Sequence, residues 1–159
     1  MRRLILVVLF LAIVPAMAQA QSDNRKAWGY LFAGAGGASD GETAFLHVGG
    51  GGEGMIYKGF GAGAELGYFT PVDAFGLGVG LLSTNLSGHF NRKAKVSPFV
   101  TGGYSLAFRS RGSSSGGNFG GGVQYWAGDN WGLRFEFRDH IFSSDSAHLY
   151  SVRVSISFR

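Results

Sequence analysis

Charged and aromatic side chains alternate in residues 131–139, which read WGLRFEFRD. Successive side chains of a β-strand point to opposite faces, so a strand here would have one charged face and one apolar face. Other segments of the chain alternate in the same way and place single charges among small residues. The charged residues that we expect to share one enclosed face are Glu53, Glu65, Arg134, Glu136, Arg138 and Arg153.

The last two alternating segments would form a hairpin, and their charges predict its register. One register places Glu136 opposite Arg153, with Arg134 and Arg138 opposite serines. Another register places Arg134 directly opposite Arg153, and like charges in facing positions are destabilising. We therefore predict the first register and a network of ion pairs, because enclosed charges are costly unless they are paired. A gate or a proton path is the functional alternative for the same residues.

Residues 140–148 contain a second group that could do chemistry. A lipid-hydrolysing enzyme could use a serine, a histidine and an acid from the set His140, Ser143, Ser144, Asp145 and His148. Serine and aspartate are also ordinary loop residues, and proximity in sequence does not make a catalytic triad. Two histidines do not complete a metal site. We therefore predict no catalytic residue, no cofactor and no metal.

The first twenty residues have the layout of a secretory signal peptide. Arg2 and Arg3 precede an apolar run at residues 4–14, and Ala18-Gln19-Ala20 offers a cleavage site. The run is too short for a spanning helix, which needs about 20 residues. We expect residues 1–20 to be removed on export and residues 21–159 to form one domain; an uncleaved N-terminal anchor is the alternative. The remaining basic residues are scattered, which argues against nucleic acid as a partner.

Eight alternating segments follow the leader, and turn residues separate them. The predicted strands are residues 27–36, 43–53, 60–69, 75–90, 96–108, 118–126, 131–139 and 148–159. The fourth segment changes parity, which indicates either a bulge near Leu81-Leu82 or a longer loop before the strand. The predicted short turns are residues 54–58, 91–95 and 127–130, and the predicted outer loops are residues 37–42, 70–74, 109–117 and 140–147. The pattern is typical of an all-β, eight-stranded, antiparallel, up-and-down transmembrane β-barrel.

The volume of the aromatic residues predicts which face meets lipid. An eight-stranded barrel has an interior just wide enough to be filled by side chains. The apolar faces of all eight segments, including Tyr30 and Phe32 in the first, hold more aromatic volume than that interior accepts. We therefore expect them to face lipid. The aromatic residues near strand ends, which we expect to form interfacial girdles, are Trp28, Phe60, Tyr68, Phe90, Trp131, Tyr150 and Phe158.

The stretch GGGVQYWAGDNWGLRFEFRD resembles the penultimate hairpin of the small eight-stranded outer-membrane barrel family, which includes the barrel domain of outer-membrane protein A and its short relatives. The last strand, Tyr150 to Phe158, is similar to the family's assembly signal, although Arg159 follows the phenylalanine. The resemblance implies residence in the outer membrane, with lipid and the assembly machinery as partners. It implies a structural role in the envelope or contact with a surface ligand through the outer loops. A narrow passive pore and a lipid-acting enzyme are the alternatives.

Overall fold

The computed structural model describes residues 27–39, 43–91, 94–109, 112–142 and 147–159, so the predicted signal peptide lies outside the described residues. A short 3₁₀ turn, Phe75–Leu77, precedes the fourth strand. The eight strands are β1 (Ala27–Ala38), β2 (Ala44–Tyr57), β3 (Phe60–Pro71), β4 (Val79–His89), β5 (Val96–Arg109), β6 (Gly112–Trp126), β7 (Trp131–Phe142) and β8 (Ala147–Phe158).

The strands form a closed antiparallel barrel in sequence order. Each strand pairs with its neighbours in the chain, and β1 pairs with β8 from Gly29–Phe158 to Ala38–Leu149, which closes the sheet. The predicted fold class is confirmed. We call the end where β1 begins and β8 ends the near end, and the opposite end the far end. Within the described residues, no helix has the length and apolarity needed to cross a bilayer.

The distribution of polarity is the inverse of that in a water-soluble barrel. On β8, the inward-pointing Ser151, Arg153, Ser155 and Ser157 are buried, whereas the alternate apolar side chains are exposed. Large exposed apolar residues cover the outer surface of every strand. A strand that alternates apolar-out and polar-in is the pattern of a barrel surrounded by lipid.

The first strand is turned the other way from our prediction. Trp28, Tyr30 and Phe32 were expected to face lipid, but all three are buried in the barrel interior. Paired residues of adjacent strands share a face, and Phe32 pairs with Gly49 of β2. A Cβ atom on Gly49 would lie 2.6 Å from the ring of Phe32, so glycines on β2 provide the space that these aromatic rings occupy. The assignment of Trp28 to the lipid-facing girdle is therefore wrong.

The fourth segment changes parity because a longer loop precedes the strand, which was the second of the two predicted explanations. The pairing of β3 with β4 runs without a shift through Leu81 and Leu82, so the strand has no bulge there. A longer connection, residues 72–78, precedes the strand instead, and Leu81 points inward.

Several strands extend beyond their predicted ends. The β2 strand continues to Tyr57, and the turn at Lys58-Gly59 is tight, with φ of 33° and 103°. Residues 112–117, predicted as loop from their glycine and serine content, pair with β5 as far as the pair Arg109–Gly112. The β7 strand continues to Phe142, which places His140 in a strand and not in a loop.

Candidate functional site

The six charged residues singled out in the sequence lie together in the middle of the barrel interior. We call Glu53, Glu65, Arg134, Glu136, Arg138 and Arg153 the charge cluster. Each is at most 4% exposed. The alternation of the strands explains this placement, because each residue shares the inward parity of its strand.

Glu136 is the centre of the charge cluster. Its carboxylate accepts hydrogen bonds from Nε of Arg134 at 2.9 Å and from Nε of Arg138 at 2.7 Å. It also pairs with Arg153, whose terminal nitrogen lies 3.0 Å from Oε2. In the backbone register Glu136 faces Arg153, as predicted from the hairpin. One carboxylate therefore holds three guanidinium groups.

The two other carboxylates extend the charge cluster to β2 and β3. Glu65 accepts hydrogen bonds from Arg153 at 2.6 Å and from the hydroxyl of Tyr30 at 3.0 Å. Glu53 accepts one from Arg134 at 2.9 Å. The cluster thus connects strands on both sides of β1.

The charges of the cluster balance within the barrel. Three arginines face three carboxylates, and every arginine contacts two of them: Arg134 contacts Glu53 and Glu136, Arg138 contacts Glu65 and Glu136, and Arg153 contacts Glu65 and Glu136. Buried ions are tolerated when they are paired and hydrogen-bonded, and each member of this set meets that condition.

Aromatic rings of β1 and β5 line the charge cluster. The guanidinium of Arg134 lies 5.0 Å from the ring centre of Tyr30 and 3.9 Å from that of Phe99. The guanidinium of Arg153 lies 4.3 Å from the ring centre of Phe32. Cation–π contacts of this kind are strongest where water is excluded. Sequence reasoning missed the rings of β1, although the run of glycines at residues 49–52 of β2 was a signal that the neighbouring strand needed room.

Little space remains beside the charge cluster. A cavity of about 10 Å³ is bounded by residues that include Tyr30, Glu53 and Arg134. A water molecule needs about 10–15 Å³ when volume is measured in this way. The cavity therefore accepts about one water molecule and no larger solute.

Apolar side chains pack on each side of the charge cluster. Toward the near end Trp28 meets Trp126 edge to face, with ring centres 5.9 Å apart. Toward the far end Phe69, Leu81 and Phe142 form a second apolar group. The charge cluster therefore lies between two groups of packed apolar side chains.

The outer surface carries the other predicted girdle residues. They are exposed and point away from the interior: Phe60, Phe90, Trp131 and Phe158 toward the near end, and Tyr68 and Tyr150 toward the far end. Their contact with the membrane interfaces stays a prediction.

The predicted loop group does not assemble into one site. His140 is buried inside the barrel, where its Nδ1 lies 3.0 Å from the hydroxyl of Ser105. His148 is half-exposed, and its Nδ1 lies 2.9 Å from a carboxylate oxygen of Asp139. Residues 143–146, which include Ser143, Ser144 and Asp145, lie outside the described residues. Among the residues described, no three His, Cys, Asp or Glu side chains are grouped as a metal site.

A closed barrel with an even number of antiparallel strands, a polar interior and an apolar exterior defines a transmembrane β-barrel protein of the outer-membrane type. The chain belongs to the outer membrane protein beta-barrel domain family, whose model matches residues 6–158. No curated protein sequence matches the chain.

Solved structures share the fold at low sequence identity. The N-terminal β-barrel domain of Pseudomonas aeruginosa OprF superimposes with a TM-score of 0.63 at 14% identity, covering 85% of this chain and 98% of that one. Neisserial surface protein A gives a TM-score of 0.65 at 12% identity, covering 83% and 94%. Ail, the attachment invasion locus protein of Yersinia pestis, gives 0.56 at 10% identity, covering 84% and 96%. At these identities the likeness establishes the fold alone.

Proposed function

We propose that this protein is a non-conducting outer-membrane barrel that contributes to the integrity of the envelope and makes surface contacts through its far end. The observation that supports this role is the filled interior. The charge cluster occupies the middle of the barrel, and buried apolar side chains pack on each side of it. A passive pore would need a continuous path for solvent, and the cavity beside the charge cluster has space for about one water molecule.

A gate made of the charge cluster is less consistent with these contacts. Opening a path would separate at least one arginine from its carboxylates, and breaking a buried ion pair costs about 3–5 kcal/mol. Each arginine contacts two carboxylates, so moving one side chain disturbs several pairs at once. An enzymatic role is less consistent with the described contacts, because the hydroxyl beside the ring of His140 belongs to the buried Ser105 and the hydroxyl of Ser39 contacts the backbone nitrogen of His148 and not its imidazole.

We propose a route to the membrane that uses both terminal segments. Export would use residues 1–20 as a cleaved signal peptide, and residues 21–159 would form the barrel. The assembly machinery would recognise β8 from Tyr150 to Phe158. Arg159 lies against the near end, where its Nε donates to the carbonyl of Asp129 at 2.6 Å and its guanidinium lies 3.7 Å from the ring centre of Trp126.

Single-channel recording in planar bilayers tests the non-conducting role. The wild-type protein should show no discrete conductance steps. The double variant Glu53→Ala/Arg134→Ala removes one charge of each sign beside the small cavity, so it keeps the interior neutral while enlarging the space. Any conductance should appear in this variant alone. Discrete steps from the folded wild-type protein that disappear after heat unfolding would refute the proposal.

Deleting the gene in its own bacterium separates the structural role from surface contact. Loss of the protein should increase sensitivity to detergents, and the wild-type gene should reverse this. A variant without residues 108–113 lacks the tip of the β5–β6 hairpin, which extends beyond the first β6–β7 pair at Gly116. It should restore detergent resistance if the role is structural, and should fail only in assays of surface contact. Unchanged detergent sensitivity in the deletion strain would argue against the structural role.

A further inference from the structure

Two turns of the near end place a lysine beside exposed aromatic side chains. Lys58 lies in the turn between β2 and β3, and Lys95 directly precedes β5; both side chains are exposed. Phe60, two residues after Lys58, is 64% exposed, and Phe90, which directly follows β4, is 58% exposed. Exposed rings next to a cation are typical of a site at the boundary between lipid and water, where the ring meets the acyl chains and the cation meets the headgroups.

These two turns are neighbours on the rim of the barrel. The strands β3 and β4 are paired, so the hairpin of β2 and β3 stands next to the hairpin of β4 and β5. The backbone amide of His89, the last residue of β4, donates to the carbonyl of Gly59 at 2.7 Å. Lys58 and Lys95 therefore belong to the turns on either side of the near end of β4.

The outer surface of β4 has an open recess next to these turns. Gly88 pairs with Phe60 of β3 and Val100 of β5, which are both exposed, so it faces outward. A Cβ atom on Gly88 would lie 3.7 Å from Val100 and 4.0 Å from Phe60, so neither side chain covers the glycine. Gly29, also near this end, is covered, because a Cβ atom there would lie 2.7 Å from the ring of Phe158. The recess over Gly88 is therefore left for a molecule from the surroundings.

The charges of the near end favour an anionic occupant. The charged side chains that the structure describes at this rim are Lys58, Lys95, Arg159 and Asp129. Arg159 lies against the ring of Trp126 and donates to the backbone of Asp129, in the turn between β6 and β7. Cations thus outnumber acids, and the two lysines flank the recess. Each basic residue close to an anionic lipid surface strengthens the attraction about 5-fold.

We propose that the near end binds one anionic phospholipid between the hairpin of β2 and β3 and the hairpin of β4 and β5. The phosphodiester lies between Lys58 and Lys95, and one acyl chain fills the recess over Gly88 beside the rings of Phe60 and Phe90. A free phosphate would use the lysines but not the recess. A zwitterionic phospholipid would fill the recess, but its own ammonium group would oppose the lysines. The inference rests on the proposed residence in a membrane.

Native mass spectrometry measures the preference for the anionic lipid. The protein is refolded in detergent micelles that contain equal amounts of phosphatidylglycerol and phosphatidylethanolamine, and the lipids that stay on the barrel are counted. We expect one phosphatidylglycerol per barrel, retained about 25-fold more often than phosphatidylethanolamine, from about 5-fold for each lysine.

Substitutions separate the contribution of the charges from that of the recess. Lys58→Gln and Lys95→Gln should each lower the preference for phosphatidylglycerol about 5-fold, and the double variant should abolish it. Gly88→Leu keeps both charges but fills the recess, so it should reduce the retention of both lipids. The matched controls are Gly102→Leu, at an outward-facing position in the middle of β5, and Arg109→Gln, which removes a cation from the far end. Both controls should behave as the wild type does.

Cross-linking locates the bound lipid. Phosphatidylglycerol with a photoreactive diazirine on one acyl chain should label the residues around the recess, at the near ends of β3, β4 and β5. Unlabelled phosphatidylglycerol should compete with this labelling, and the double lysine variant should lose it. Labels that are spread evenly around the barrel would overturn the site.

Other results would also overturn it. They are equal retention of the two lipids, a preference that the double lysine variant leaves unchanged, and a loss of preference in either control. Displacement of the lipid by inorganic phosphate would assign a small-anion site instead. Heat-dependent gel mobility checks that each variant is folded, and if Gly88→Leu does not fold, the variants in the exposed turns decide the question. A wild-type barrel that inserts into vesicles without lipid preference refutes this site alone, whereas a chain that does not insert refutes the proposed residence in a membrane.

Discussion

Replacing Glu136 with glutamine should destabilise the barrel far more than a substitution in an exposed loop. The carboxylate oxygens of Glu136 lie within 3.0 Å of guanidinium nitrogens of Arg134, Arg138 and Arg153, and the residue is 2% exposed. The variant keeps the shape of the side chain but leaves three arginines with two carboxylates. Removing one partner of a buried ion pair costs about 3–5 kcal/mol, which lowers the folding equilibrium constant by a factor of about 10² to 5 × 10³.

A second substitution tests whether the charge imbalance is the cause. Arg138→Met in the Glu136→Gln background returns the interior to two charges of each sign, so part of the lost stability should be recovered. Residues in direct contact are expected to show such non-additive behaviour. Asp73→Asn, on an exposed loop, is the control and should change stability by about 0.5 kcal/mol or less.

Urea titration in lipid vesicles measures these differences, with tryptophan fluorescence and heat-dependent gel mobility as independent probes. Trp28 and Trp126 lie in the interior and report on the loss of packing. A Glu136→Gln barrel within 1 kcal/mol of the wild type would refute the argument. So would a double variant whose loss equals the sum of the two single losses, because the pairs would then be energetically independent.

Three further predictions concern packing, the lipid face and the C-terminus. Gly49→Ala should cost about 1–3 kcal/mol in urea titration, because the new methyl group meets the backbone carbonyl of Leu66 and the ring of Phe32. Gly88→Ala, whose nearest atom would be 3.7 Å away, should be almost neutral. Phe135→Arg, at the middle of the exposed face of β7, should lower the free energy of unfolding in vesicles by about 2–4 kcal/mol. Trp131→Arg, at the near end, should lower it by about 0–1 kcal/mol. Equal losses would contradict the predicted position of the membrane. Arg159→Ala removes a hydrogen bond and a cation–π contact, so it should lower the free energy of unfolding by about 1–2 kcal/mol in the same titration. An unchanged urea midpoint of unfolding would show that these contacts do not stabilise the barrel.

The hairpin register was predictable from the sequence because its information is local. The β7 and β8 strands are consecutive in the chain, and the charges of two neighbouring strands distinguish the possible registers. The match between Glu136 and Arg153 depends on these two strands alone. The strand count and the closed fold were predictable for a similar reason, since each depends on alternation within single segments.

The orientation of β1 was not predictable in this way. Its own alternation fits either face, and its aromatic content favours lipid. The face is determined by the pairs that β1 makes with β8, which is last in the chain, and with the glycines of β2. The position of His140 was missed for another reason: the small and polar residues at 143–147 led the whole stretch 140–147 to be predicted as a loop, although residues 140–142 continue β7.

The charge cluster also has a consequence for how the barrel comes apart. Its carboxylates lie on β2, β3 and β7, and its arginines lie on β7 and β8, so the side-chain pairs span the seam where the first and last strands meet. Separating β1 from β8 would pull these pairs apart together, before any solvent could replace the lost contacts. We therefore expect the seam to resist sideways opening, and the barrel to unfold slowly and in a single concerted step.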